Sequence, residues 1–408
     1  LYRLTVNVTL KQIKILSIIL LLLVAIGLFL SLWIVIPAPT MSLLPLGVGA
    51  PEISPWLILL NAIALFLAVS QFKFGMLKNV ALAASLLGLL LSCLPLIQLP
   101  NANGQFAEEM TRVVGREFMD KIPLSVKERM RSKPFVLLDA FRGIPLQEVR
   151  IQREIVFANP DGVELKLNLY RPLTVGKHPA IVIIYGGAWQ RGTADNDEFF
   201  SRYMAGQGYS VVAIDYRHAP QYQFPVQLED VQTALQYIQD NADELEVNCD
   251  RLAIMGRSAG GHLAKLVAYQ PSSIPFRAVI SYYGPTNLTE GYEDPPVPDP
   301  IDTRAVMRNF LGGTLQEIPE VYHQASPINY IRPHLPPSLL IYGSNDRVVQ
   351  AKFGDRLYQK LRSTDNTAIF LKIPWADHAF DAVSFGVSNQ VALYYTERFL
   401  AWALLSDL

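Results

Sequence analysis

Three uncharged apolar runs lie within the first hundred residues of this 408-residue chain, and they restrict what that part can become. Residues 15–36 hold no charged side chain and are long enough to cross a hydrocarbon layer of ~30 Å as a helix. Residues 55–72 and 80–99 form the second and third runs, the second being the shortest and interrupted by Asn61. A central Lys or Asp would cost about 2.5–3.5 kcal/mol on insertion, and none of the runs contains one. The expectation is a membrane anchor of three helices over residues 1–100. The first run is too long for the apolar core of a cleaved leader, and no small-x-small site follows Ile36. Intramembrane ionisable groups mark transport pathways, so their absence points to anchoring.

Positive charge sets an expected orientation. Arg3, Lys11 and Lys14 precede the first run, residues 37–54 contain no Lys or Arg, and Lys73 and Lys78 sit between the second and third. Basic loops stay on the cytoplasmic side. The N-terminus and the second loop are therefore expected inside, and everything after Leu99 outside, on the periplasmic side. If the second run fails to span, the order reverses.

Outside these runs the chain resembles an ordinary globular protein. The net charge of −1 and a charged fraction of 17% argue against a nucleic-acid partner. Cys93 lies in an apolar run and Cys249 in a polar loop, so a disulfide is not expected. The six histidines show no metal-ligand spacing, and no metal site is expected. Met110, Val113, Val114, Phe118 and Ile122 recur at helical spacing within residues 101–148, which read as an amphipathic linker or cap.

From residue 149 to the end, β-rich runs at 151–158, 163–170, 180–185, 210–215, 252–255, 278–283, 339–342 and 368–373 alternate with helical runs at 226–239, 259–269, 350–361 and 387–405. The first two strands are joined by Asn159-Pro160-Asp161-Gly162, a turn that suits a hairpin. The fold class expected is α/β, a mostly parallel sheet of about eight strands flanked by helices. A Pro-rich excursion follows Tyr283 and contains a helix at 303–311; it reads equally as a pocket wall or lid and as a surface loop.

Within that pattern Gly256-Arg257-Ser258-Ala259-Gly260 joins a strand to a helix, the context of a nucleophile elbow. A serine hydroxyl needs a base, and in such folds the order is Ser, then Asp or Glu, then His. Asp346 follows the strand at 339–342 and His378 the strand at 368–373. His323 and His334 precede Asp346 and so stand in the wrong order, while Asp377 and Asp381 are too close to His378 in sequence to reach its Nδ1. The expected triad is Ser258, Asp346 and His378. Gly186 and Gly187 leave the third strand where an oxyanion loop belongs, and the Ala259 N–H follows the nucleophile.

These stretches, with Asp215-Tyr216-Arg217-His218-Ala219-Pro220, Gly343-Ser344-Asn345-Asp346 and His378-Ala379-Phe380, resemble the hormone-sensitive-lipase-like α/β-hydrolases, within them the small bacterial carboxylesterases. The resemblance runs from about residue 150 to the end and implies a cofactor-free serine esterase acting on small-molecule or lipid esters. It implies a structural role for Asp215, Tyr216 and Arg217. Tyr185 stands where the family usually has His, and Arg257 where lipase-like members often have Asp, which bears on the polarity around the acyl group. Two competing readings are a serine peptidase of the prolyl-oligopeptidase kind and a catalytically silent hydrolase fold used for binding. The first half has no propeller-like repeat, and all three triad residue types are present.

Overall fold

The computed structural model describes residues 2–71, 75–271 and 274–406, with the backbone alone for residues 2–16 and 71. Eight strands form one sheet in the order β1-β2-β4-β3-β5-β6-β7-β8. They are β1 (Arg150–Ala158), β2 (Leu165–Arg171), β3 (His178–Ile184), β4 (Ser210–Ile214), β5 (Val247–Arg257), β6 (Phe276–Tyr282), β7 (Ser338–Gly343) and β8 (Ala368–Ile373). The β1–β2 hairpin is antiparallel and β2 runs antiparallel to β4; every later pairing is parallel. The parallel strands are covered on both faces, so Ile181 to Ile184, Val211 to Ile214 and Leu252 to Met255 are continuous apolar runs with essentially no exposed surface.

In front of the sheet lie α1 (Tyr2–Leu32), α2 (Leu44–Glu52), α3 (Ser54–Gln71), α4 (Met76–Val114) and the single turns α5 (Leu124–Lys127) and α6 (Asp139–Arg142). The sheet is flanked by α7 (Glu198–Gly206), α8 (Val226–Asp240), α9 (Ala259–Tyr269), α10 (Leu288–Glu293), α11 (Thr303–Leu311), α12 (Pro319–Gln324), α13 (Ala351–Ser363) and α14 (Val387–Leu405).

Helices α1, α3 and α4 pack on one another with an inside-out polarity. Ile18, Leu22, Phe29, Phe66, Val69, Leu86 and Leu90 point outward and are exposed, while Asn61 is fully buried at the centre. The Asn61 amide donates to Ser31 Oγ (2.9 Å), Ser92 Oγ (3.3 Å) and Leu57 O (2.8 Å), and the two serines bond each other at 2.9 Å. Gly27 and Gly88 let their helices close on Asn61, because a Cβ at either would overlap its amide. Small residues at close approaches and polar side chains turned inward are how helices associate where lipid surrounds them. Asn61, an interruption in the sequence pattern, is thus the interhelical clamp.

Among the described residues only Met76–Val114 is by itself long and apolar enough to cross a membrane. Helices α2 and α3 meet that test together, across an 81° bend, and the described apolar part of α1 is the shorter Ser17–Leu32. The side chains of Arg3, Lys11 and Lys14, and Phe72 and Lys73 altogether, fall outside the described residues.

Two results differ from the sequence reading. Helix α4 runs unbroken from the apolar run into the amphipathic stretch, through Pro95 and Pro100, and stops at Gly115, whose φ of 92° suits glycine. Phe118 and Ile122 are buried from turns beyond that end rather than from a helical stripe. Residues 101–148 pack against α14 and β8. The Arg131 N–H donates to Glu397 Oε2 at 3.0 Å, and its guanidinium donates to Gln390 Oε1 at 2.7 Å. Tyr395 Oη donates to Asn103 O at 3.0 Å. Cys93 and Cys249 are both free thiols.

Candidate active site

Ser258 sits between β5 and α9 with φ 49° and ψ −120°, a left-handed conformation that a side-chain-bearing residue adopts only under constraint. The constraint is steric. A Cβ on Gly260 would fall on the carbonyls of Ile184 and Tyr185, and one on Gly256 would strike Gly260, so the strand, turn and helix interlock only with glycine at both positions. The Ser258 N–H is held by Tyr282 O at 3.0 Å, and Ser258 O accepts the His262 N–H at 3.0 Å, starting the helix.

The loops after β7 and β8 bring the other two expected residues to Ser258. His378 Nε2 lies 3.0 Å from Ser258 Oγ, and His378 Nδ1 lies 2.8 Å from Asp346 Oδ2. Asp346 Oδ1 accepts the Val348 and Val349 N–H groups at 2.8 and 2.7 Å, which fixes the carboxylate. Asp377 serves the backbone instead. Its Oδ1 accepts the N–H groups of His378 (2.6 Å) and Arg347 (3.3 Å), knitting the two loops together. Burial, helped by the nearby Asp346 charge, pushes its carboxyl up to about 6.

Gly186 presses against Ser258, since a Cβ there would lie 3.1 Å from Ser258 Cβ. Gly187, at φ 140°, turns tightly enough that a Cβ would overlap Arg191 O. Gly186 and Gly187 face a groove shared with Ser258 and His378, while Ala188 and Ala259 meet Ser258 in a second recess. The loop is held by Trp189, which stacks on Phe310 at 4.1 Å and donates its indole N–H to His262 Nδ1 at 3.2 Å. His262 must then carry its proton on Nε2, which donates to Ala325 O at 2.6 Å. Burial lowers the His262 pKa to about 3, so the ring stays neutral and the link from the loop after β3 to α9 does not titrate near neutrality.

A second buried network was invisible in the sequence. Arg257, next to Ser258, pairs with Asp197 at 2.9 Å and with Asp381, while Tyr283 Oη donates to the other oxygen of Asp381. The Tyr283 ring meets the His378 ring edge-on at 4.5 Å. Burial opposes the charged guanidinium, yet Asp197 and Asp381 hold Arg257 above its ordinary pKa. Asp197 shares that one cation and is raised by burial to about 6. Tyr185 points away from Ser258: its ring stacks on Tyr216 at 4.5 Å, and its hydroxyl lies 2.9 Å from His218 Nε2. Asp215 accepts the Ala194 N–H at 2.7 Å, and Arg217 is paired to Asp230 and Asp161.

Two recesses meet at Ser258. One, of about 50 Å³, is apolar and walled by the excursion after β6, through Pro285, Ile301, Val306 and Met307; this part of the excursion is therefore a pocket wall. The other is a wide groove of about 640 Å³ that reaches from Gly186 and His378 to Phe199 and to Met41 and Leu44 of the front segment. Among the described residues no group of His, Cys, Asp and Glu is arranged to hold a metal.

Comparison with known proteins agrees with this geometry. Residues 167–361 match the BD-FAE family. Esterase LipC of Mycobacterium tuberculosis is 32% identical over 57% of this chain and 60% of its own length. The probable carboxylic ester hydrolase LipM of the same organism is 29% identical over 55% of this chain and 54% of its own. The chain thus spans less than two thirds of either relative. A bacterial heroin esterase shares the fold, with a TM-score of 0.56 and 24% identity over 64% of this chain and 85% of that one.

Proposed function

We propose that this chain, which is similar over residues 167–361 to the BD-FAE family and in part to two mycobacterial esterases, is a membrane-anchored serine hydrolase of the α/β-hydrolase fold that cleaves carboxylic esters through an acyl-enzyme. The observation that carries the reading is the continuous line from Ser258 Oγ through His378 to Asp346, starting on a strained turn at the junction of two recesses. In this mechanism Ser258 Oγ attacks the ester carbonyl carbon while His378 Nε2 takes its proton. Backbone N–H groups of Gly186, Gly187 and Ala259 receive the oxyanion. The intermediate collapses, the C–O bond to the alcohol breaks, and His378 returns the proton to the leaving oxygen. Water then repeats the sequence on the acyl-enzyme and releases the acid. Asp346 orients the imidazole and balances its transient charge without taking the proton. The two recesses divide the acyl and alcohol groups between them.

The anchor reading draws on the outward apolar faces of α1, α3 and α4 and their inward Asn61 clamp. The segment without Lys or Arg, residues 37–54, packs against the hydrolase body through Glu52, whose carboxylate accepts the Ser388 N–H at 2.7 Å. Lys78 lies at the far end of α3, where its Nζ bonds Val69 O at 3.4 Å. By the distribution of basic residues, the hydrolase body then lies on the extracytoplasmic side.

A fluorophosphonate probe and a panel of p-nitrophenyl esters test the chemistry. Labelling of the wild type, lost in Ser258→Ala, with ester turnover exceeding that of peptide amides, is expected. Absence of labelling would favour the silent binding domain, and preference for amides the peptidase. An alkaline phosphatase fusion after Asn103 should be active; an inactive fusion made at normal levels would reverse the sidedness.

A further inference from the structure

We propose that residues 37–53, between α1 and α3, form one wall of the substrate entrance and that this entrance opens at the lipid surface, so that the substrates are esters with a long apolar chain held in a bilayer. The inference rests on the hydrolase and anchor readings above and names the substrate class for that same site.

The first observation is where the segment sits. Met41 and Leu44 line the groove that also exposes Gly186, Gly187, Ser258 and His378. Ala38, Leu44 and Val48 are buried as a cluster against Val348, two residues beyond Asp346. Gly47 fits so closely to the His378 loop that a Cβ would lie 3.3 Å from Asp377 Oδ2. Glu52, fully buried, binds the Ser388 N–H and hydroxyl at 2.7 and 2.5 Å and caps the start of α14. The segment is therefore docked on both loops that carry the triad, not draped over them.

The second observation is depth. The last apolar residues of the α1 region, Trp33 to Ile36, line one small pocket together with Asn345, Arg347, Trp375 and Asp377. At the other emerging helix, Trp56 donates its indole N–H to Ala140 O at 2.8 Å and packs edge-on against Phe141 at 4.8 Å. No spacer separates the apolar bundle from the triad loops. The level at which α1 and α3 leave the hydrocarbon is the level of the catalytic loops, with Trp33 and Trp56 at the height where amphipathic rings collect.

The third observation is the surface around this junction. Val35, Ile36, Met41 and Trp56 are exposed, and so are Leu137 and Leu138 on the hydrolase body beside Phe141. Scattered exposed apolar residues are ordinary, but here they continue the apolar outer face of the helices onto the body. A water-borne small ester needs no such rim. A lipid-borne ester does, because its chain can pass from the bilayer between Met41 and the groove without crossing water, where every exposed methylene is unfavourable.

The test uses the full chain in phosphatidylcholine–phosphatidylglycerol vesicles. p-Nitrophenyl palmitate dissolved in the vesicles is compared with p-nitrophenyl acetate in water, for the wild type, Met41→Glu and Leu44→Ala. The specificity constant for palmitate should fall about tenfold more than that for acetate in Met41→Glu, and in the same direction in Leu44→Ala. Independently, a fluorophore on Met41→Cys, with Cys93 and Cys249 replaced by Ser, should be quenched by spin-labelled lipid. Equal losses on both esters, or no quenching at position 41, would overturn the inference. A wild type inactive on acetate but quenched at position 41 would strike the esterase reading instead, and leave the placement of the segment standing.

Discussion

Beside Ser258, Arg257 is bound to two buried carboxylates, and Arg257→Met isolates what that arrangement contributes. Methionine keeps most of the side-chain length, so the loss is chiefly electrostatic. In the wild type Asp197 is already raised to about 6 with Arg257 present. Without the cation, Asp197 and Asp381 face each other in a site where their side chains are 9% and 7% exposed. Removing one partner from a buried pair costs about 3–5 kcal/mol. For a hydrolase body of this size that corresponds to a fall of roughly 6–20 °C in melting temperature. The sign of the pH dependence follows from linkage. A carboxyl whose folded pKa exceeds its unfolded value weakens the fold as pH rises between the two values, and has no effect below both. The deficit of Arg257→Met should thus be full at pH 7.5 and smaller at pH 5. Melting of detergent-solubilised protein by tryptophan fluorescence at the two pH values is the assay. Adding Asp197→Asn and Asp381→Asn to Arg257→Met should recover at least half of the loss at pH 7.5. A deficit under about 1 kcal/mol, or one equal at both pH values, would refute the idea that the cluster is held by that cation.

Ser258→Ala should lower ester turnover by about a millionfold and abolish fluorophosphonate labelling, as measured on purified protein. Asp346→Asn should cost about ten-thousandfold in kcat, whereas Asp377→Asn, which retains an oxygen for the two N–H groups it accepts, should cost less than about tenfold; the reverse ranking in a steady-state assay would move the acid to Asp377. Asp377→Asn should also stabilise the fold by up to about 3 kcal/mol above pH 6, a gain that shrinks as pH falls toward 4, because the wild-type carboxyl is raised to about 6. Asn61→Leu should weaken the front helices by about 0.6–2 kcal/mol in a detergent denaturation series, leaving Ser31 and Ser92 bonded to each other.

The three residues proposed as nucleophile, base and acid could be picked out in the sequence because each is tied to its own strand end, and the structure brings them within hydrogen-bond distance. A run such as Leu252 to Met255 announces a buried parallel strand, and Gly256-Arg257-Ser258-Ala259-Gly260 announces the turn that follows. The order of Asp346 and His378 then needed only the count of strands. What stayed hidden was contact between residues far apart in the chain. Arg257 looks like a mere departure from a motif until Asp381, 124 positions later, closes on it. Glu52 gives no hint that it caps a helix 336 positions away. Periodicity also misled once: the stripe from Met110 to Ile122 suggested a single helix, but Gly115 ends it and turns carry Phe118 and Ile122 inward. Local patterns reveal local structure; pairings depend on the assembled sheet.

Helix α4 extends for 39 residues, about 58 Å at 1.5 Å per residue, and its far end is fastened to the hydrolase body by Phe106 against Tyr395 and Glu109 to Tyr358. Such a helix transmits torsion. Each residue added or removed between the Asn61 clamp and Asn103 would rotate that fastening stripe by about 100°, turning it from Tyr395 toward solvent. Insertions of whole turns preserve the bearing of the groove and only lift it, by about 5.4 Å for each turn. The body is held at two places, by α4 on one side and by residues 37–53 with Trp56 on the other, so a change in length of α4 alone would set the two fastenings against each other and act on the site as a change of heading.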